Sequence, residues 1–482
     1  MKRYKALSIL LAGSVFLGAG CKKFLDINKD PNNPLAVSES LQLGPIEFTT
    51  SSNIVGGFTG TTTAYWMQYI SINQPSPDAE SYFIQPADVD NTWTFFLYPN
   101  TFEALNLMIA QAEAAGHNQY VAIGKTLFAF NLAITTDMWN DIPYSQALQI
   151  TTIRNPKYDS QETVYGGIQS LLDSALYYIN QPASITAPST DDFIFGGNMA
   201  AWQKFIYMLK ARYYLRLSAA PGRTAATQAD SALTALQNAF ASNGDNAAVA
   251  YPGTQNGQSA WYANTAQGTG GVVVAASFVD SLVTRNDPRL AILVDTNDAG
   301  GYSGRQSGAS TGPDPNAYSS INSFYGGYLP LLPPNAQQPG AAAPLYLGTY
   351  SEQLFIQAEA TFLTQGAAAA TPIYKAAIAA HMSLLGVSQT AAQNYINNRP
   401  ALTAANAIQQ IINEKYVAGF LSIEPYNDWR RTGFPVLTLA QNAYVNYIPR
   451  RWPYSSTEIL ANPQPEQQGI TTQNHVWWDT RP

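Results

Sequence analysis

Two carboxylates on one helix face are the first residues in this 482-residue chain that could do chemistry. Glu352 and Glu359 stand seven apart in a helical pattern, so they share a face. Such a pair can hydrolyse a glycosidic bond when held about 5–9 Å apart. Helical rise separates these two by roughly 10 Å. The role expected of them is to anchor neighbouring helices through arginine or backbone donors, and Asp137 and Asp141 are read the same way. His117, His381 and His475 are scattered without metal-ligand spacing, and none has the sequence context of a Ser-His-Asp triad. Despite 34 glycines, no phosphate loop or dinucleotide fingerprint occurs. The expectation is a protein that is not an enzyme and holds neither cofactor nor metal.

Binding has more support. Neutral sugars present apolar C–H faces and hydroxyl edges, so a receptor needs flat rings flanked by amide, carboxylate or guanidinium groups. Two loop-rich regions supply that mixture. In the first, Trp66, Tyr82 and Trp93 accompany Asn73, Gln74 and Asp78. In the second, Trp261 and Tyr262 accompany Asn256, Gln258 and Asn264, while Tyr325 and Tyr328 follow Asn322. These seven aromatics are the expected ligand contacts; the alternative for any one of them is loop packing or a protein interface. Charged residues make up 12% of the chain, about half the usual share, so polarity comes from uncharged groups. A net charge of −7 argues against nucleic acid, which needs a basic footprint.

The sole cysteine, Cys21, excludes an intrachain disulfide and a cysteine metal cluster. It follows a charged start (Lys2, Arg3, Lys5), an apolar run from Ala6 to Phe16 and the small residues Gly18, Ala19 and Gly20. Residues 1–20 therefore read as a secretory signal too short to anchor in a membrane. Cys21 is expected to become the lipidated first residue of the mature protein, with 21–40 as a polar tether. Several acyl chains on one cysteine give a stable anchor.

The elements that must position these residues are mostly helices. Apolar periodicity predicts them at 41–72 with a Gly-rich interruption at 56–60, and at 101–115, 119–137, 224–242, 275–285, 351–365 and 371–385. Asp159 and Glu162 form a predicted capping box, and Asn198 a predicted N-cap. Thr403 is the predicted N-cap of a helix carrying Ile408, Ile411, Ile412, Tyr416 and Phe420 on one face, which Pro425 should end. Between 243 and 348 the composition shifts to Gly, Ser, Asn, Pro and Tyr. Its many aromatics argue for ordered excursions over the surface rather than disorder.

The C-terminal corner carries two arginine pairs, Arg430–Arg431 and Arg450–Arg451, beside Trp429 and Trp452. Guanidinium stacking there is expected to lock the corner onto the helices. Trp-Arg-Arg-Thr-Gly followed by Pro-Arg-Arg-Trp-Pro-Tyr resembles the C-terminal motif of the SusD/RagB family of nutrient-binding outer-membrane lipoproteins. Asp137-Met-Trp-Asn-Asp-Ile-Pro-Tyr, Asp287-Pro-Arg-Leu, Glu352-Gln-Leu-Phe-Ile-Gln-Ala-Glu-Ala and the Val476-Trp-Trp-Asp tail resemble the family in the same order. Asn140 stands where the family has Gly, and Asn tolerates the left-handed backbone of a tight turn. The resemblance implies an all-α protein, with tetratricopeptide-like helical hairpins forming one domain over 41–482 and a loop-rich excursion at 243–348. It further implies a lipid-anchored protein of the outer membrane, at the cell surface, whose partner is a SusC-like TonB-dependent β-barrel transporter. The implied ligand is an oligosaccharide; a peptide ligand, or a module that only docks the transporter, are the alternatives.

Overall fold

A computed structural model describes residues 37–72, 78–149, 151–266, 272–310, 314–328 and 337–482. Cys21, the 1–20 signal, Asn73 and Gln74 lie outside the described residues. In chain order the elements are α1 (Glu39–Phe48), α2 (Phe58–Trp66), β1 (Ile70–Ile72), α3 (Ala104–Ala115), α4 (Asn118–Trp139), β2 (Ile142–Pro143), β3 (Tyr158–Asp159), α5 (Gln161–Ile179), α6 (Met199–Arg216) and α7 (Ala225–Leu236). Then follow β4 (Ala247–Val249), α8 (Ala260–Ala266), β5 (Val272–Val274), α9 (Ala276–Thr284), α10 (Leu290–Leu293), β6 (Leu345–Gly348), α11 (Tyr350–Gln365) and α12 (Ala367–Leu384). The last are α13 (Gln389–Asn397), α14 (Ala407–Ala418), α15 (Glu424–Thr432) and α16 (Ser456–Ala461).

Capping chemistry explains most boundaries. Asn198 accepts from the Ala201 amide and opens α6, as expected. For α5 the cap is Ser160, not the predicted Asp159, because the Asp159 carboxylate is already taken by the Ser145 amide (2.6 Å) and hydroxyl (2.9 Å). Thr403 likewise stops short of being a cap. It exchanges hydrogen bonds with Asn406, and α14 begins only at Ala407. Pro425 does not simply end a helix. Gly419 closes α14, and Pro425 falls in the first turn of α15, where a missing N–H costs nothing. Asn140 adopts φ +71°, so the turn after α4 keeps its positive-φ geometry.

Helices α3 with α4, α4 with α5, α6 with α7, and α11 with α12 pack as successive hairpins, and α7 packs directly on α11. The excursion is thus inserted between two neighbouring helices. Its neck is the antiparallel pair β4–β6, with Val249 opposite Leu345, and it is pinned further along by β5 against β1, Val274 opposite Ile70. One apolar core runs from α1 to the tail, and a smaller one joins Phe355, Tyr374, Ile378, Met382 and Ile411.

The arginine corner is structural, as expected. Arg430 donates to the carbonyls of Asp137 (2.6 Å) and Arg450 (2.9 Å) and lies 4.6 Å over the Trp478 ring. Arg450 bonds Asp479 at 2.7 Å, and Arg451 bonds the Trp139 carbonyl. Arg212 forks onto Glu352 at 2.8 Å, Arg431 onto Glu359, and Arg216 joins Asp137 to Glu424. Burial pushes the Asp137 carboxyl up against the opposing pull of Arg216 and Arg430. At Glu424 burial also raises the pKa, but Arg216, Arg212 and Lys415 together outweigh it and hold the group below the usual carboxylate range.

Candidate functional site

The seven aromatics fall into three environments. Trp66, Tyr82 and Trp93 are interior, which corrects the expectation that they face a ligand. Helix α2 has no charged residue and is buried on nearly every side, so Trp66 has no solvent face to occupy. Its indole N–H donates to the Ala79 carbonyl at 2.9 Å, and its ring meets Tyr426 at 5.4 Å. The Tyr82 hydroxyl accepts from the Ala440 amide at 3.0 Å. Trp93 donates to Glu458 Oε2 at 3.3 Å and stands edge-on to Trp139, 5.1 Å between centroids. Each polar tip is satisfied within the protein, and the Trp66 and Trp93 rings pack against other rings.

Trp261 and Tyr325 are also buried, within the excursion rather than in the helical stack. Trp261 is held where α8 passes the backbone of Gly326. Tyr325 packs edge-on against Phe420 at 5.5 Å, its hydroxyl 3.4 Å from His381 Nε2. Burial drives its phenol well above the ordinary value.

Tyr262 and Tyr328 are brought together. Their centroids are 6.1 Å apart at an interplanar angle of 53°. Tyr328 is 38% exposed, whereas Tyr262 beneath it is 8% exposed. Burial, with the neighbouring Tyr328 phenol adding to it, raises the Tyr262 hydroxyl, so that ring is neutral at physiological pH.

The loop beneath them is stapled in place. Gly326 sits at φ +91°, and a Cβ there would come within 2.9 Å of the Tyr262 amide, so only glycine lets α8 approach. Thr265 Oγ1 donates to the Gly326 carbonyl at 3.2 Å, and the Ser259 amide to the Ala341 carbonyl at 2.8 Å. Two of the expected polar partners are spent on this bracing. Asn264 donates to the Gly56 carbonyl at 3.0 Å, and Asn322 holds Asp295 at 2.5 Å and the Phe324 amide at 3.0 Å. Asn256 remains exposed and Gln258 half-buried. The same loops border a cleft of about 530 Å³ lined by Ile292, Ser323, Phe324, Pro339, Ala342 and Tyr346. Tyr346 had no signal as a site residue because it lies on β6, a four-residue strand in a run of small and apolar residues. The arrangement offers a fixed aromatic surface beside a neutral cleft, suited to holding an uncharged ligand rather than to transferring protons.

Residues 31–455 match a family model, SusD-like, described as starch-binding and associating with the outer membrane. The chain belongs to the SusD-like family. None of the curated proteins compared matches it. Among solved structures similar to this SusD-like chain is one described as a chitin-binding protein, at TM-score 0.77 and 22% identity, covering 92% of this chain and 100% of the other. A SusD/RagB family protein from Bacteroides thetaiotaomicron superposes at TM-score 0.77 with 23% identity, covering 92% and 99%. A SusD homologue from Bacteroides fragilis gives TM-score 0.73 at 22% identity, with the same coverage. The shared architecture is the all-α, tetratricopeptide-like scaffold of SusD-like proteins. Glycan binding in association with the outer membrane is the family's character. Among the described residues no helix is long and apolar enough to cross a membrane.

Proposed function

We propose that this SusD-like protein is a lipid-anchored outer-membrane protein that captures a neutral oligosaccharide on the loop face around Tyr328. It then passes the sugar to a SusC-like TonB-dependent transporter. The observation that carries the ligand assignment is one half-open ring, Tyr328, backed by Tyr262 on a stapled loop next to a neutral cleft. A tyrosine face covers the C–H face of a sugar, and its hydroxyl can exchange hydrogen bonds with the sugar's edge. The solved structure described as a chitin-binding protein makes chito-oligosaccharides the first pool to test. Anchoring rests on Cys21, the sole cysteine, directly after the signal-like residues 1–20. Delivery is tested by purifying the tagged full-length protein from detergent-solubilised outer membranes. A β-barrel transporter in stoichiometric amount is the expected companion; an intact, folded protein that comes out alone would overturn delivery.

A further inference from the structure

A second cleft, of about 620 Å³, opens where the C-terminal ends of α9 and α13 meet. Arg285, Asn286, Asn394, Tyr395, Asn398 and Arg399 line it. Its size is that of small-ligand sites, about 300–1,000 Å³. Its charge is unusual for this chain. Below the floor, the fully buried Arg289 takes both oxygens of Asp287 at 2.8 and 2.6 Å and reaches Glu414 Oε2 at 2.5 Å. The other Glu414 oxygen accepts from the Tyr395 hydroxyl at 2.7 Å and from Arg285 Nη1 at 3.2 Å. Both carboxylates are therefore engaged before Arg399 is reached. The nearest Arg399 nitrogen is 3.8 Å from Glu414 Oε1, beyond hydrogen-bond distance. Its guanidinium lies instead 4.0 Å over the Tyr395 ring, with Nε buried and unbonded. His381, against Arg289, is neutral, because burial and then that guanidinium hold it down at about 3. Asp280, the other acid nearby, is exposed and lines an adjacent cleft that shares Arg285.

Three guanidiniums thus share two carboxylates, and Arg399, at the cleft wall, holds the longest of these ion pairs. Among the described residues Arg399 keeps only one long ion pair, 3.8 Å to Glu414, and its stack on Tyr395, so its guanidinium retains donors for an anion that enters the cleft. Asn286, Asn394 and Asn398 are exposed around the opening. A carboxamide both donates and accepts, which matches the hydroxyls of a sugar ring more closely than a bare anion. We infer that this cleft is a second ligand site that takes a carboxylate-bearing sugar unit. Arg399 and Arg285 hold the carboxylate, and the three asparagines hold the hydroxyls. The site is independent of the loop face at Tyr328 and would let the protein grip an acidic branch of a glycan.

Calorimetric titration of the full chain with glucuronic acid, galacturonic acid, glucose and acetate tests this. One of the two uronic acids should bind at least tenfold more tightly than glucose or acetate. Arg399→Gln should weaken that binding roughly tenfold or more, as loss of a charge-assisted contact does. Asn398→Asp, at an exposed position, should weaken it by like-charge repulsion and serves if Arg399→Gln does not fold. The inference is overturned if neither uronic acid binds, if glucose binds equally well, if acetate alone matches the sugar, or if the folded variants retain full affinity.

Discussion

Tyr328 and Trp93 are both aromatics in loop-rich sequence, and their removal should have opposite consequences. Tyr328→Ala deletes a half-exposed ring that packs against Tyr262. Its melting temperature should match the wild type, since surface changes stay within about 0.5 kcal/mol, while oligosaccharide affinity falls about tenfold. Trp93→Ala removes a ring enclosed by Trp139, Tyr98 and Tyr454, so urea unfolding should show a loss of about 3–5 kcal/mol. Residue type alone could not separate the two. A signal did exist at Trp66, where the surrounding helix carries no charged face and so has nowhere to point a ring except inward. At Asn264 and Asn322 the sequence showed amides near aromatics, but only the folded loops reveal that backbone and Asp295 have claimed them.

At the scale of elements, the helices are joined by buried ion pairs that the motif pattern had marked as structural. Arg216 ties α6 to Asp137 of α4 and Glu424 of α15. Arg216→Ala leaves two buried carboxylates facing each other, and chemical denaturation should report a loss of about 3–5 kcal/mol. His381 on α12 gives a pH test. Its pKa is lowered from 6.5 to about 3, first by burial and then by Arg289. Between those values the unfolded chain holds a proton on this residue and the folded chain does not. Acidification through that window therefore removes stability, by up to about 1.4 kcal/mol per pH unit. His381→Asn should show a shallower fall over the same range in urea midpoints measured at successive pH values. Helix existence was legible because apolar periodicity is long-ranged along the chain. The caps were less so, since Asp159 and Ser160 are equally good candidates until Ser145 takes one of them.

Across the whole molecule, a helical stack presents loops grown from one insertion. The change in composition after residue 242 made the excursion visible, but not its closure. Strands β4 and β6 have three and four residues, and their partners lie about a hundred residues apart, so no local pattern announces the neck. The consequence is that α7 and α11 pack directly on each other and close the scaffold, leaving the loop face as an insertion between them. That face is the central claim, and it is tested most directly by titrating neutral oligosaccharides, chito-oligosaccharides first, and a peptide pool into folded wild-type and Tyr328→Ala protein. Saturable binding of a neutral oligosaccharide that falls about tenfold in Tyr328→Ala, with the peptide pool silent, is the predicted result. Unchanged sugar affinity in the folded variant, or peptide binding in place of sugar, would contradict it.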